Sequence, residues 1–213
     1  YAVLVYQETL GLPKSITATT GMDALTHAVE AYIGGSTTRE TRQMAEEAVA
    51  LIYQHLKTAY ENGQDKEARS GMLRAAYCAG VAFTKSYVGY IHAVAHSLGG
   101  QYGTPHGLAN AVILPIVLRM YGSACWKKLA RLARNAGVVE AGLSDEETAG
   151  CFINWIQEMN DSMEIPRHFP EIRRKDIPVM ARHADKEGNP LYPVPVLMNR
   201  RELERIYEEV KGR

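Results

Sequence analysis

Gly21-Met22-Asp23-Ala24-Leu25-Thr26-His27-Ala28-Val29-Glu30-Ala31-Tyr32-Ile33-Gly34-Gly35 is the stretch from which the fold class is read. Met22, Leu25, Ala28, Val29 and Ile33 keep a 3.6-residue period until Gly34-Gly35 stops it, so the stretch is an amphipathic helix. The same period recurs downstream. Thr37 with Glu40 forms a capping-box pattern that opens a helix over 38–61, ended by Asn62-Gly63. An Ala-rich helix follows over 66–84, and a fourth over 88–99, up to Gly99-Gly100. Pro105 opens a fifth, because proline suits the first helical turn. Ser123 opens a sixth, and Ser144 with Glu147 caps a seventh through Met159. Two more are predicted over 174–186 and 200–211, separated by an extended surface loop from Asn189 to Pro195.

Upstream of Gly21 the pattern changes. Ala2–Tyr6 is a short apolar run with the look of a strand, Leu10-Gly11-Leu12-Pro13 a turn, and the Ser/Thr-rich residues 15–20 are predicted not to be helical. Residues 1–20 are therefore expected to be a lead-in segment from an upstream domain, and 21–213 a single all-α domain. The chain opens at Tyr1 with no initiator Met and no signal-like stretch, which suggests a cut inside a larger protein. No GxGxxG follows a strand and no GxxxxGK[ST] occurs, so most of any dinucleotide site is expected outside this chain.

Composition narrows the classes. The 213 residues are 46% apolar and 23% charged, an ordinary globular balance. Lys plus Arg equals Asp plus Glu at 24 each, so no global field draws the chain to nucleic acid or an anionic membrane. The longest apolar run, Ala111–Leu118, falls far short of the roughly 20 residues a spanning helix needs. Cys78, Cys125 and Cys151 form no CxxC pair and are expected to be free, buried thiols of a cytoplasmic protein.

The chain has seven histidines, unevenly placed. Asp23 and His27 lie four apart and project from one helix face; His92 and His96 repeat the spacing, and His106 follows Pro105 at a helix mouth. Taken singly, each is more often a satisfied structural residue. Together, set among Ala, Val and Leu, they would cost several kcal/mol unless partners or a metal satisfied them. A carboxylate with imidazoles suits a borderline divalent ion such as Fe²⁺, Zn²⁺, Mn²⁺ or Ni²⁺, whereas Mg²⁺ and Ca²⁺ want more oxygens. A helix N-terminus favours a neutral, ligating His106. Spacing alone does not choose between His92 and His96. His55, His168 and His183 are expected to have no role.

Thr19-Thr20-Gly21-Met22-Asp23 through Ala31-Tyr32, and Gly89-Tyr90-Ile91-His92-Ala93-Val94-Ala95-His96-Ser97-Leu98-Gly99-Gly100 followed by Gly103-Thr104-Pro105-His106-Gly107-Leu108-Ala109-Asn110-Ala111, resemble the signatures of the iron-activated (group III) alcohol dehydrogenases. The resemblance runs from about Leu10 and weakens after residue 123. It implies the all-α, C-terminal half of a dehydroquinate synthase-like two-domain enzyme. Asp23, His27, His92 and His106 would be its metal ligands, for Fe²⁺ or for Zn²⁺ or another divalent transition metal. His96 would lie by nicotinamide and substrate as a catalytic proton relay, with Phe83 lining the nicotinamide side. NAD or NADP would be held through an N-terminal α/β domain with a GGGS loop, absent here. The substrate would be a small alcohol or aldehyde, and the full-length enzyme a homo-oligomer. One departure from the family is Val5-Tyr6, where many members have Asp-Pro. Two other classes are weighed. An HD-type metallophosphohydrolase needs a His-Asp dipeptide, which does not occur. A non-catalytic all-α interaction module would carry no metal. A glycerol-dehydrogenase-like zinc enzyme, a milder rival with fewer ligands, is disfavoured by His106.

Overall fold

The computed structural model describes residues 2–139 and 142–212, and every regular element among them is helical. The α-helices are α1 (Lys14–Ile33), α2 (Arg39–Glu61), α3 (Lys66–Ser86), α4 (Tyr90–Tyr102), α5 (His106–Tyr121), α6 (Ser123–Ala136), α7 (Asp145–Ser162), α8 (Ile177–Gly188) and α9 (Arg200–Lys211). Short 3-10 turns occupy Tyr6–Thr9 and Arg174–Asp176. The strand expected at Ala2–Tyr6 is not formed.

The Ser/Thr-rich segment 15–20, expected to be non-helical, is the opening of α1. Its hydroxyls explain the difference. Thr19 Oγ1 donates to the Ser15 carbonyl at 2.9 Å and Thr20 Oγ1 to that of Ile16 at 2.7 Å, so they back-bond within the helix instead of competing with it. Tertiary burial of Thr17, Ala18, Gly21 and Met22 then outweighs weak propensity.

Helix ends shift by a few residues for local reasons. The α2 capping box uses Thr38 and Thr41, one residue later than Thr37 and Glu40. The Ser144–Glu147 box at α7 forms as read, and Asn199 with Glu202 caps α9. α4 runs through Gly99-Gly100 and stops at Gly103, whose φ of 70° gives the left-handed turn that favours glycine.

Two helices form the spine. α1 packs against α2, α3, α5 and α6, and α5 against α1, α4, α7 and α9. α5 is apolar nearly all round from Ala109, and α1 is buried over most of its surface from Gly21 onward. α4 lies on α5 and α8, and α8 on α9. At the α1–α2 seam, Leu56 fills the space that Gly21 leaves: a Cβ there would lie 2.3 Å from Leu56 Cδ1. Cys78 and Cys125 are buried, but Cys151, expected to be buried, is exposed. Among the described residues, no helix is long and apolar enough to cross a membrane. Leu56→Ala is expected to lower the unfolding free energy by about 2–5 kcal/mol. Guanidinium denaturation checks this, and a loss under about 1 kcal/mol contradicts the seam's place in the core.

Candidate metal centre

α1 contributes Asp23 and His27, one turn apart on one face, as their spacing requires. α4 presents His92 from its first turn, and α5 opens with His106 after Pro105. Gly107 lets the mouth of α5 press onto α1, because a Cβ at that position would lie 2.5 Å from the Thr19 carbonyl oxygen. One ligand atom from each of Asp23, His27, His92 and His106 then lies within 4.8 Å of the other three. His92 Nε2 is 2.9 Å from His27 Nε2, and His106 Nε2 is 3.4 Å from Asp23 Oδ1. His92 is buried, whereas the His106 side chain is 41% exposed, so the cluster opens to the surface on the α5 side.

The pair that spacing could not separate is separated by position. His92 joins the cluster. His96, one turn on, stays out of it: its ring stacks on His106 at 5.1 Å, and Nδ1 pairs with Glu187 Oε1 at 2.7 Å. Tyr192 donates to the same Glu187 oxygen at 2.7 Å. Phe83 stacks on His27 with ring centroids 4.2 Å apart, which restrains that imidazole. His55 is half-buried against Gly71, His168 Nδ1 lies 3.0 Å from the Glu209 carbonyl, and His183 is exposed; none approaches the cluster.

Two residues of the site escaped sequence reasoning. Glu30 is buried, and its Oε2 accepts from His92 Nδ1 at 2.6 Å while Oε1 accepts from the Ile91 N–H at 2.8 Å. That bond puts the His92 proton on Nδ1 and turns the Nε2 lone pair into the cluster. Gly89 allows the approach, since a Cβ there would lie 2.7 Å from Glu30 Oε1. Asn110, one turn beyond His106 and fully buried, donates from Nδ2 to Asp23 Oδ1 at 2.6 Å. The signal was present as spacing: Asp23, His27 and Glu30 stand at i, i+4 and i+7, and His106 and Asn110 at i and i+4.

The electrostatics divide the histidines. Burial, and then neighbouring His92, pushes His27 down to about 4. Burial also lowers His106. Both are thereby held neutral, the form that ligates. The hydrogen bond to Glu187 raises His96, favouring a proton on that ring. Three imidazole nitrogens and a carboxylate oxygen, all electron-pair donors, form a set that fits a borderline divalent metal ion.

A family model described as "Fe-containing alcohol dehydrogenase family, C-terminal" matches residues 17–210. The chain is 41% identical over 202 residues to 1,3-propanediol dehydrogenase of Citrobacter freundii, covering 94% of this chain and 52% of that protein. It is 40% identical over 178 residues to alcohol dehydrogenase 4 of Saccharomyces cerevisiae, covering 82% of this chain and 45% of that one. The crystal structure of a 1,3-propanediol oxidoreductase superposes with a TM-score of 0.89 at 40% identity, over 93% of this chain and 52% of its own. The chain thus spans about half the length of the relatives it matches.

An unfolded His27 takes up its proton near the ordinary value of 6.5, the folded one only near 4. Between those values the unfolded state holds more protons, so stability rises with pH across the window. In chelator-treated protein, unfolding free energy is expected to fall as pH drops from 6.5 to 4, and less steeply in His27→Gln. An NMR titration placing the His27 midpoint near 6.5 contradicts this.

Proposed function

The chain belongs to the Fe-containing alcohol dehydrogenase family, and we propose that it is the metal-holding half of an enzyme interconverting a small alcohol with its aldehyde or ketone. The observation that carries this reading is the meeting of four donor atoms from α1, α4 and α5 within 4.8 Å of one another. Asp23, His27, His92 and His106 are the ligands we assign. When bound there, a divalent ion, iron foremost, supplies Lewis-acid polarisation of the substrate oxygen, and NAD or NADP supplies the redox chemistry.

The chain's own residues do the rest. Glu30 holds the His92 ring so that Nε2 faces the ligand set. Phe83 keeps His27 in place by stacking, and we assign its remaining face to the nicotinamide side of the cleft. His96, beside His106 at the exposed mouth, is assigned the proton that leaves the alcohol, and Glu187 stabilises its protonated form. The exposure of His96 allows onward transfer to water.

Metal content by mass spectrometry after gentle purification tests the ligand set. His106→Ala is expected to lose stoichiometric metal, and Glu30→Gln to bind it about 10–100-fold more weakly. His96→Ala is expected to keep its metal. In an enzyme carrying this chain with its nucleotide-binding half, the same variant should turn over about 10²–10⁴-fold more slowly. Loss of metal from His96→Ala, with His106→Ala still loaded, contradicts the assignment.

A further inference from the structure

We propose that the cleft between the N-terminal halves of α1 and α3 is a binding site for a short-chain aliphatic carboxylate, with Arg69 taking the charged end. Two stripes at i, i+4 and i+7 face each other across it: Thr17, Gly21 and Ala24 on α1, and Arg69, Leu73 and Ala76 on α3. Thr9 and Leu12 of the lead-in also line it. None of the four clustered metal-ligating residues does.

Arg69 is the reason for a charged ligand. The residue is only 3% exposed, and among the described residues no carboxylate pairs with it. Nε donates to the Gly63 carbonyl at 2.8 Å, Nη1 to Thr17 Oγ1 at 2.8 Å and Nη2 to the Leu12 carbonyl at 3.4 Å. All three acceptors are neutral. Burial pushes the guanidinium down from its ordinary value, and no neighbouring charge opposes that. A cation kept from water without a counter-charge is costly, and an anion beside it offsets the cost. A guanidinium carries five N–H donors, so two remain, on a planar fork that matches the two oxygens of a carboxylate. Thr17 adds a donor: its Oγ1 accepts from Arg69, and its own hydrogen goes to no protein acceptor. Gly63 makes room for the guanidinium, since a Cβ there would lie 2.7 Å from Nη2.

The walls select the rest of the ligand. Leu12, Ala24, Met72, Leu73 and Ala76 offer hydrocarbon and no second charge, which suits an aliphatic chain better than sulfate or phosphate. At the roughly 30 Å³ that one water occupies in the liquid, a cleft of about 180 Å³ admits about six non-hydrogen atoms, the size of butyrate.

The test is butyrate binding to the chelator-treated chain, read from the methyl NMR signals of Met72 and Leu73. Chelation keeps the carboxylate from a bound metal. Butyrate is expected to bind with a Kd of about 1 mM, and butan-1-ol and sulfate at least tenfold more weakly. Arg69→Gln should lose at least tenfold in affinity. Ala24→Leu, which fills the cleft and leaves Arg69 in place, should abolish the shifts, and it decides the matter if Arg69→Gln fails to fold. Butan-1-ol binding as tightly as butyrate, or butyrate binding kept in Ala24→Leu, overturns the proposal. An enzyme carrying this chain with its nucleotide-binding half should bind butyrate within threefold of the chain alone. Loss of binding there gives the cleft to an acidic side chain from upstream and overturns a free ligand.

Discussion

Four electron-pair donors with no counter-charge of their own are driven together where α1, α4 and α5 meet, and the fold must hold them there. His92 is the tightest case, with almost no contact with solvent. An imidazole taken from water without partners costs several kcal/mol. Glu30 offsets that cost on one nitrogen, while the other meets His27 Nε2 at 2.9 Å and lies 3.2 Å from the Asn110 amide nitrogen. Carboxylate and imidazole donors gathered this closely suit a divalent cation.

The scaffold serves that crowding. From Gly21 on α1 and from Ala109 on α5 most side chains are buried, so neither helix can rotate without emptying part of the core. Asp23, His27 and Glu30 therefore leave α1 in fixed directions, and His106 and Asn110 leave α5 likewise. Glycine works at two points of closest approach. Gly107 admits the mouth of α5 to the Thr19 carbonyl, and Gly89 admits Glu30 to the start of α4. The remaining helices thicken the core around this junction, and the His106 side stays open to the surface.

Much of this was legible from residue order. The 3.6-residue period and the cap residues placed the nine α-helices of the described residues, and the i, i+4 spacings with the helix-mouth His106 marked the candidate donors, because these depend only on local geometry. What stayed hidden depends on tertiary packing. Thr19 and Thr20 read as helix breakers until burial and back-bonding are known. His92 and His96 share a face in sequence, and only the neighbours of α4 show that one meets Glu30 and the other Glu187. Glu30 was not singled out, because its partner His92 stands 62 positions away.

The most direct measurement is X-ray absorption at the zinc edge on the zinc-loaded chain. The expected shell holds three imidazole nitrogens and oxygen at about 2.0–2.1 Å, with the outer-ring scattering of three histidines. Fewer than two imidazoles, or sulfur at about 2.3 Å from one of the cysteines, contradicts a centre built from Asp23, His27, His92 and His106.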